Sequence, residues 1–325
     1  MLSHSRAAVC LTLALTLASL AADIPHAGLS NGKVRAVVYL PDPTDGYYRA
    51  TRFDWAGAIS SLEWNGHTYF GQWFDRYDPK VNDSIVGPVE EFLTDGAGLG
   101  YEEAKAGENF VKIGVGVIRK PVESGFQQFH TYEIVDTGKR TTQRGADWIE
   151  FVQDIADVNG YGFSYRKTVR LLDGPPRLVL EHSLKNTGRK TIRTSVYEHN
   201  FFMLDGQPTG PDTVVRFPFE VHATKDLAGL AEIRGPEVVY PREMPRGPMV
   251  LTDLTGYGDR VSDYDIRVEN HKTGAGVRQT ADRPIARLVL WSIRATVCPE
   301  AYIDLRIEPG QEATWRIAYE FYAVR

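Results

Sequence analysis

Cysteine is nearly absent from this chain, which contains two cysteines in 325 residues. Cys10 lies in an apolar N-terminal run and Cys298 lies near the C-terminus. If the N-terminal run is removed after synthesis, Cys298 is the only cysteine left. The mature protein then has no internal disulfide, so its stability must come from a packed core. A hydrophobic share of 42% is enough for a large core.

Runs of like charge are missing as well, because the 37 basic and 42 acidic residues are interspersed along the chain. The net charge of −5 argues against nucleic acid or an anionic membrane surface as a partner. Heptads, internal repeats and low-complexity tracts are also absent, which excludes coiled-coil and solenoid architectures. Helical periodicity is weak, and the best helix candidates are two short pieces at 102–106 and 224–231.

The N-terminus has the pattern of an export signal. His4 and Arg6 precede an apolar run that is too short to span a membrane, and small residues follow it up to Ala22. We therefore expect a signal peptide at 1–22 and one β-sandwich domain at 23–325. The protein is then exported, periplasmic or secreted, and free of the membrane after cleavage.

Short alternating segments bounded by turn residues fill most of the chain after Asn31. The predicted strands are 33–40, 47–55, 109–120, 129–135, 147–155, 165–172, 177–184, 191–197, 214–222, 232–240, 286–293, 302–307 and 313–322, with a hairpin over 58–70. So many strands with almost no helix predict stacked antiparallel sheets. Residues 71–108 are turn-rich and Gly-rich, and we expect a loop that is folded over a ligand, with disorder as the alternative.

A histidine at a predicted strand end is the centre of the candidate site. The stretch SVYEHNFFMLDG follows a three-strand meander and places His199 next to Asn200, Phe201 and Phe202. A titratable ring beside aromatic residues suits a pocket for a polar, ring-shaped ligand. The alternative is a core histidine with satisfied hydrogen bonds.

A glutamate in the C-terminal third is the second candidate. Glu300 follows Pro299, and we expect it where one strand has ended and the next begins. Near the His199 imidazole it would form an acid–base pair. Taken alone, a glutamate in such a place is more often a solvated turn residue.

Three segments resemble the galactose mutarotase (aldose 1-epimerase) family, and a fourth is similar to one of its branches. EHNFF at 198–202 is similar to the NH-x-YF segment of that family, and CPE at 298–300 is similar to its C-L-E or C-V-E segment. The ending PGQEATWRIAYEF at 309–321 is similar to the family's P-G-E ending, and LVLWS at 288–292 is similar to a segment of the hexose-6-phosphate epimerase branch. The resemblance implies an all-β, galactose mutarotase-like supersandwich of large antiparallel sheets over about 30–323.

The resemblance also implies site residues. His199 and Glu300 align with the catalytic histidine and glutamate, so Glu300 is expected to act as base and His199 as protonated acid in the interconversion of sugar anomers. The two side chains should face one cavity roughly 5–8 Å apart, so that they straddle a pyranose ring. Trp73, Phe201 and Phe202 are expected to pack on the sugar, with core packing as the alternative. Asn200 is a further substrate-binding candidate.

Two family features are missing from the sequence. The family's second histidine, in an H-G-G segment, has no counterpart in 86–108, where Glu90, Glu91 and Tyr101 are the replacement candidates. The family's N-R-I arginine is not evident either, and Arg76 is the nearest candidate, followed by Arg52.

We expect no cofactor and no metal, because no phosphate loop, dinucleotide fingerprint or metal-ligand spacing is found. The expected ligand is a mono- or oligosaccharide, bound by an aldose 1-epimerase-like enzyme. A non-catalytic carbohydrate-binding protein of the same fold is the main alternative, and a lyase- or hydrolase-associated sandwich is a third. The oligomeric state is left open.

Overall fold

The computed structural model describes residues 24–324, which form an almost entirely β structure of antiparallel sheets. The predicted signal peptide at 1–22 lies outside the described residues. No helix within 24–324 is long and apolar enough to cross a membrane.

The largest sheet has ten strands in the order β16-β17-β14-β19-β20-β23-β12-β11-β10-β9. In chain order these strands are β9 (Lys139–Arg144), β10 (Trp148–Val158), β11 (Tyr161–Leu172), β12 (Arg177–Asn186), β14 (Thr213–Arg216), β16 (Glu232–Arg234), β17 (Glu237–Val239), β19 (Asp265–Asn270), β20 (Ala275–Ala281) and β23 (Glu312–Ala323).

The second sheet has six strands in the order β15-β18-β21-β22-β13-β5. They are β5 (Val89–Leu93), β13 (Ile192–His199), β15 (His222–Ala223), β18 (Val250–Thr255), β21 (Arg287–Ile293) and β22 (Thr296–Ile307). Four N-terminal strands, β1 (His26–Ser30), β2 (Val34–Tyr39), β3 (Ile59–Trp64) and β4 (His67–Thr68), form a third sheet. The fourth contains β6 (Asn109–Lys112), β7 (Gly116–Arg119) and β8 (Ile134–Asp136), and two short 3₁₀ turns lie at Leu204–Gly206 and Val261–Asp263.

The two large sheets pack face to face and bury one continuous apolar core between them. Phe92 of β5 illustrates the contact, because its ring lies 5.3 Å from Tyr165 of β11 and 6.1 Å from Trp315 of β23. The alternating burial of β12, β13 and β23 follows from this packing, since every second side chain points into the core. The prediction of large stacked antiparallel sheets is confirmed.

Several local predictions were wrong. Residues 47–55 are buried but irregular instead of forming a strand, and neither 102–106 nor 224–231 is helical. Part of the predicted loop at 71–108 is β5, an edge strand of the six-stranded sheet. Strands such as β18 and β20 were not predicted, because polar residues interrupt the alternation of apolar and polar side chains in their sequences.

Candidate active site

One face of the six-stranded sheet carries both candidate catalytic residues. β13 ends at His199, and Glu300 lies inside the neighbouring strand β22. The two strands pair with Tyr197 opposite Tyr302. Because alternate residues of a strand point to the same face, His199 and Glu300 share the face of that tyrosine pair. The strand register therefore brings the imidazole and the carboxyl together.

The two side chains are in direct contact and nearly inaccessible. Nε2 of His199 lies 3.3 Å from Oε1 of Glu300. His199 is 4% exposed and Glu300 is 5% exposed. The prediction that the two groups stand roughly 5–8 Å apart was wrong, because the register places them side by side on adjacent strands.

The pair is poor in polar partners. Nδ1 of His199 is buried and has no hydrogen-bond partner among the described residues. The contact with His199 is the one close polar contact of the Glu300 carboxyl within 24–324. Buried polar side chains normally have hydrogen-bond partners, so the unpartnered Nδ1 of His199 disfavours a purely structural role.

Aromatic rings surround His199. The ring of Phe201 stacks on the imidazole at a centroid distance of 3.8 Å, and Trp73 stacks on Phe201 in turn at 4.8 Å. Phe53 and Trp291 approach the imidazole edge-on at 5.6 and 5.3 Å. Phe201 has a backbone φ of +46°, an unfavourable value for a bulky residue. This strained residue lies two positions after the candidate catalytic histidine, and such outliers are often found at active sites.

A buried ion cluster lies next to the pair on the same face. Arg52 donates from Nε to Glu91 at 2.9 Å and from Nη2 to the hydroxyl of Tyr197 at 3.2 Å, and it also pairs with Asp83. Tyr197 and Gln128 donate to the carboxylate of Glu91 as well. Glu91 is therefore fixed by an arginine, a phenol and an amide.

The pKa values of this site are shifted in different directions: that of Glu300 is raised, and those of His199 and Glu91 are lowered. Burial raises the pKa of Glu300 to about 8, despite the opposing charge of Arg52. Burial lowers the pKa of His199 well below its usual value, and Arg52 lowers it further. Burial alone would raise the pKa of Glu91, but Arg52 and Lys112 hold it below the usual range.

These directions change the expected proton positions. At neutral pH Glu300 holds the proton and His199 is neutral, whereas the sequence-based expectation was an ionised Glu300 and a charged His199. That expectation was wrong, because it used the pKa values of groups in water.

Glu300 also lies inside a strand and not between two strands. β22 continues through Pro299, which pairs with Leu290 of β21. The ladder to β13 ends at Tyr302, so Pro299 lies in a part of β22 that pairs on one side only. A proline is tolerated where a strand has a free edge. Pro299 therefore does not end the strand, although the sequence analysis took it as the end of one.

Glu90 and Glu91, the two candidates for sugar hydroxyls, point to opposite faces of β5. Glu91 belongs to the cluster around Arg52. Glu90 is fully buried between the sheets, where it accepts from Lys167 and lies 2.7 Å from Nε2 of His182. The structure thus separates Glu90 from the site face.

A cluster of acidic and basic side chains around Glu90 is buried between the sheets. Its ligand atoms are close enough to hold a metal ion, but its charges are already paired. Ligand atoms of Glu90, His182 and Glu198 all lie within 4.8 Å of one another. The amine of Lys167 already bonds to Glu90, and burial followed by the charge of Glu90 raises the pKa of Glu198 well above its usual value. A protonated Glu198 beside a Glu90–Lys167 pair needs no metal ion, so the expectation of no metal stays a prediction.

The remaining candidates lie apart from the pair. Asn200 is fully buried and donates to the carbonyl of Pro299 at 3.0 Å, while its own carbonyl accepts from Tyr319 at 2.8 Å. Phe202 packs in the main core. Tyr101 lies in a second core cluster and donates to Glu123 at 2.8 Å.

Arg76 is exposed, whereas Arg52 joins the site. Arg52 was the second candidate after Arg76, and it lies in the segment 47–55 that was predicted as a strand. A basic residue among the aromatic residues of 47–55 was the available signal, since a buried arginine requires acidic partners. Tyr197 and Trp291, which also border the pair, were not singled out; both lie in predicted strands.

The fold matches solved structures of galactose mutarotase-like proteins. A putative aldose 1-epimerase from Escherichia coli K12 superposes with a TM-score of 0.55 at 13% identity, covering 92% of this chain and 99% of its own. An aldose epimerase homologue from Caenorhabditis elegans gives a TM-score of 0.57 at 13% identity, with coverages of 92% and 99%. A galactose mutarotase-like protein from Clostridium acetobutylicum gives 0.56 at 12% identity, with coverages of 91% and 95%. These likenesses establish the galactose mutarotase-like fold.

By sequence, neither a family model nor a curated protein matches the chain.

Proposed function

We propose that this protein binds a sugar and interconverts its anomers, as an aldose 1-epimerase does, with His199 and Glu300 as the acid–base pair. The observation that carries the proposal is the direct contact of two buried titratable side chains, of which His199 also has an unpartnered Nδ1. Groups with pKa values displaced in opposite directions are typical of catalytic sites. The shared fold with solved aldose epimerase homologues supports the same reading.

The chemistry requires one proton donor and one proton acceptor. Anomers interconvert when the C1–O5 bond breaks, the chain rotates about C1–C2, and the ring closes on the other face. The ring opens when O1 loses its proton and O5 gains one. With the resting protonation given above, Glu300 donates to O5 and neutral His199 accepts from O1. Closure reverses both transfers, so the pair returns to its initial state.

A bound sugar must move the side chains of His199 and Glu300 apart, because both have to reach its anomeric centre. The two side chains lie in direct contact at 3.3 Å, and the rings of Phe53, Phe201 and Trp291 close the space around His199. Sugar hydroxyls would supply the hydrogen bonds that the pair lacks, which offsets the cost of moving the rings apart. Arg52 lies beside the pair and has N–H groups left to donate charge-assisted hydrogen bonds to a further hydroxyl, whereas the carboxylate of Glu91 is already occupied by its own donors.

Polarimetry on a panel of free aldoses tests the proposal. We expect the wild type to speed mutarotation of at least one aldose, and His199→Asn and Glu300→Gln each to slow it by about 10²–10⁴-fold. His222→Asn, an exposed histidine on a two-residue strand, is the matched control. Full activity of both site variants would refute the assignment.

The second candidate function is sugar binding without turnover. The low exposure of the pair favours it, since a catalytic pair must reach its substrate. Isothermal titration that detects sugar binding by a wild type without mutarotase activity would select this alternative.

The ligand class we propose is a mono- or oligosaccharide, and the location is outside the cytoplasm. The apolar run before Ala22 supports export. Mass spectrometry of the native protein should give an N-terminus near residue 23; a mature protein that begins at Met1 would contradict export.

A further inference from the structure

A cleft with a volume of about 490 Å³ opens beside the aromatic stack. Trp73 and Phe74 line it with rings at 89° to each other, 5.3 Å between centroids. Arg246, Arg294 and Gln207 contribute hydrogen-bonding groups to its walls. A cavity of this size, with an aromatic corner and a few polar groups, is typical of small-ligand sites.

The cleft lies at one end of the face that carries the acid–base pair. Ile293, which lines the cleft, pairs with Thr296 of β22. Thr296 is four residues before Glu300 and on the same face, a distance of roughly 13 Å along the strand. That span is longer than one pyranose ring, so a single sugar unit does not occupy both places.

The aromatic stack connects the two places. Trp73 forms part of the cleft wall, and its ring is linked to His199 through Phe201 by stacking distances of 4.8 and 3.8 Å. The indole plane is fixed by a hydrogen bond from Nε1 to the carbonyl of Ile85 at 2.8 Å. Phe201 covers one face of the indole. The part of the Trp73 side chain that Phe201 does not cover borders the cleft, where a ligand can contact it.

The polar groups of the cleft suit hydroxyl-rich ligands. Arg294 donates to the carbonyl of Met244 at 3.3 Å and pairs with Glu243, which ties the segment 241–248, with its three prolines, to the cleft wall. Arg246, an exposed residue of that segment, also lines the cleft. Arginine donors beside an aromatic face are suited to sugar hydroxyls over an apolar sugar face.

On the basis of the function proposed above, we infer that the Trp73 cleft is a second sugar subsite. It binds the unit attached to the reacting one, so the substrate is a reducing-end di- or oligosaccharide and not a free monosaccharide. Trp73 stacks on this second unit, and Arg246 and Arg294 bind its hydroxyls. The reducing unit is the one that meets His199 and Glu300.

Kinetics on matched mono- and disaccharides test the inference. Anomer exchange is measured by NMR for glucose, galactose, cellobiose, lactose and maltose, and binding of each is measured by titration. We expect at least one disaccharide to give a kcat/KM about 10-fold or more above that of its reducing monosaccharide. Trp73→Ala should lower that ratio by about 2- to 10-fold, the range for a lost aromatic contact.

Two further variants keep the test decisive. Arg246→Ala changes an exposed side chain, so it should fold normally and also lower the disaccharide-to-monosaccharide ratio. Trp64→Ala removes a part-buried tryptophan from the four-stranded sheet and should leave the ratio unchanged.

The outcomes separate this inference from the function on which it rests. Equal kcat/KM values for mono- and disaccharides would overturn the second subsite. So would a disaccharide-to-monosaccharide ratio that neither cleft variant changes. Both results leave the proposed aldose 1-epimerase activity intact. A protein that neither binds nor interconverts any of the five sugars overturns both. A disaccharide that binds without exchange, with affinity lost in Trp73→Ala, supports the cleft and refutes only the catalytic role.

Discussion

Replacing Glu300 by glutamine should change how the stability of the protein depends on pH. Burial raises the pKa of this carboxyl from its usual 4.5 to about 8. The folded protein therefore retains a proton that the unfolded chain has already lost above pH 4.5. As pH rises from 4.5 towards 8, this difference lowers the free energy of unfolding of the wild type.

The size of the effect follows from the shift. Each pH unit between the two pKa values costs about 1.4 kcal/mol. Integration from pH 6.5 to pH 9 gives a loss of about 2 kcal/mol, because the slope vanishes above the folded pKa. Glu300→Gln removes this term. Any constant cost of the buried amide does not affect the slope, so the readout is the change with pH and not the absolute stability.

Urea unfolding at a series of pH values measures the difference between wild type and variant. We expect Glu300→Gln to gain about 2 kcal/mol relative to wild type between pH 6.5 and 9. The pKa of His199 is lowered, so its contribution is lost as pH falls below 6.5 and lies outside this window. Glu63→Gln, at an exposed pair with Arg35, is the control for a surface charge change. A difference that stays constant within about 0.5 kcal/mol would refute the buried, protonated carboxyl.

Further predictions concern the interior and the cysteine. Lys167→Met should destabilise the protein by about 3–5 kcal/mol in urea unfolding, because it leaves Glu90 buried without its amine; a loss below about 1 kcal/mol would contradict the ion pair. Asn200→Ala should cost about 1–3 kcal/mol by the same measurement, since it leaves the hydroxyl of Tyr319 without an acceptor, and a neutral effect would argue against that hydrogen bond. The melting temperature of the processed monomer should be the same with and without reductant, because Cys298 is then the only cysteine; a shift on reduction would disprove this.

The fold was accessible from sequence because long strands carry their own pattern. β12 and β23 are ten and twelve residues long, and both lie at the centre of the ten-stranded sheet, where burial favours alternation. His199 could be identified from the sequence because a turn signal follows it closely and predicts a strand end there. Glu300 was a weak candidate from its place between two predicted strands and was strengthened by the resemblance, and its position inside β22 was obscured by the adjacent proline.

The rest of the site depends on register, which local sequence does not encode. Glu90 and Glu91 are neighbours in the chain, yet one joins the core and the other joins the site, depending on which face of β5 is covered. Arg52 reaches the site from an irregular segment, whose path is set by tertiary contacts with Glu91 and Tyr197. The contact distance of the catalytic pair likewise depends on how β13 and β22 pair.

Saturation-transfer NMR between the α and β anomeric protons of a reducing sugar tests the central claim most directly. With wild-type protein present, we predict exchange well above the rate in buffer, falling as pH rises through about 8, where Glu300 loses the proton that it donates. Both His199→Asn and Glu300→Gln should return the exchange to the buffer rate. Exchange that is no faster than in buffer for every sugar that the wild type binds, or that persists in both variants, would contradict the claim that this pair acts on the anomeric centre.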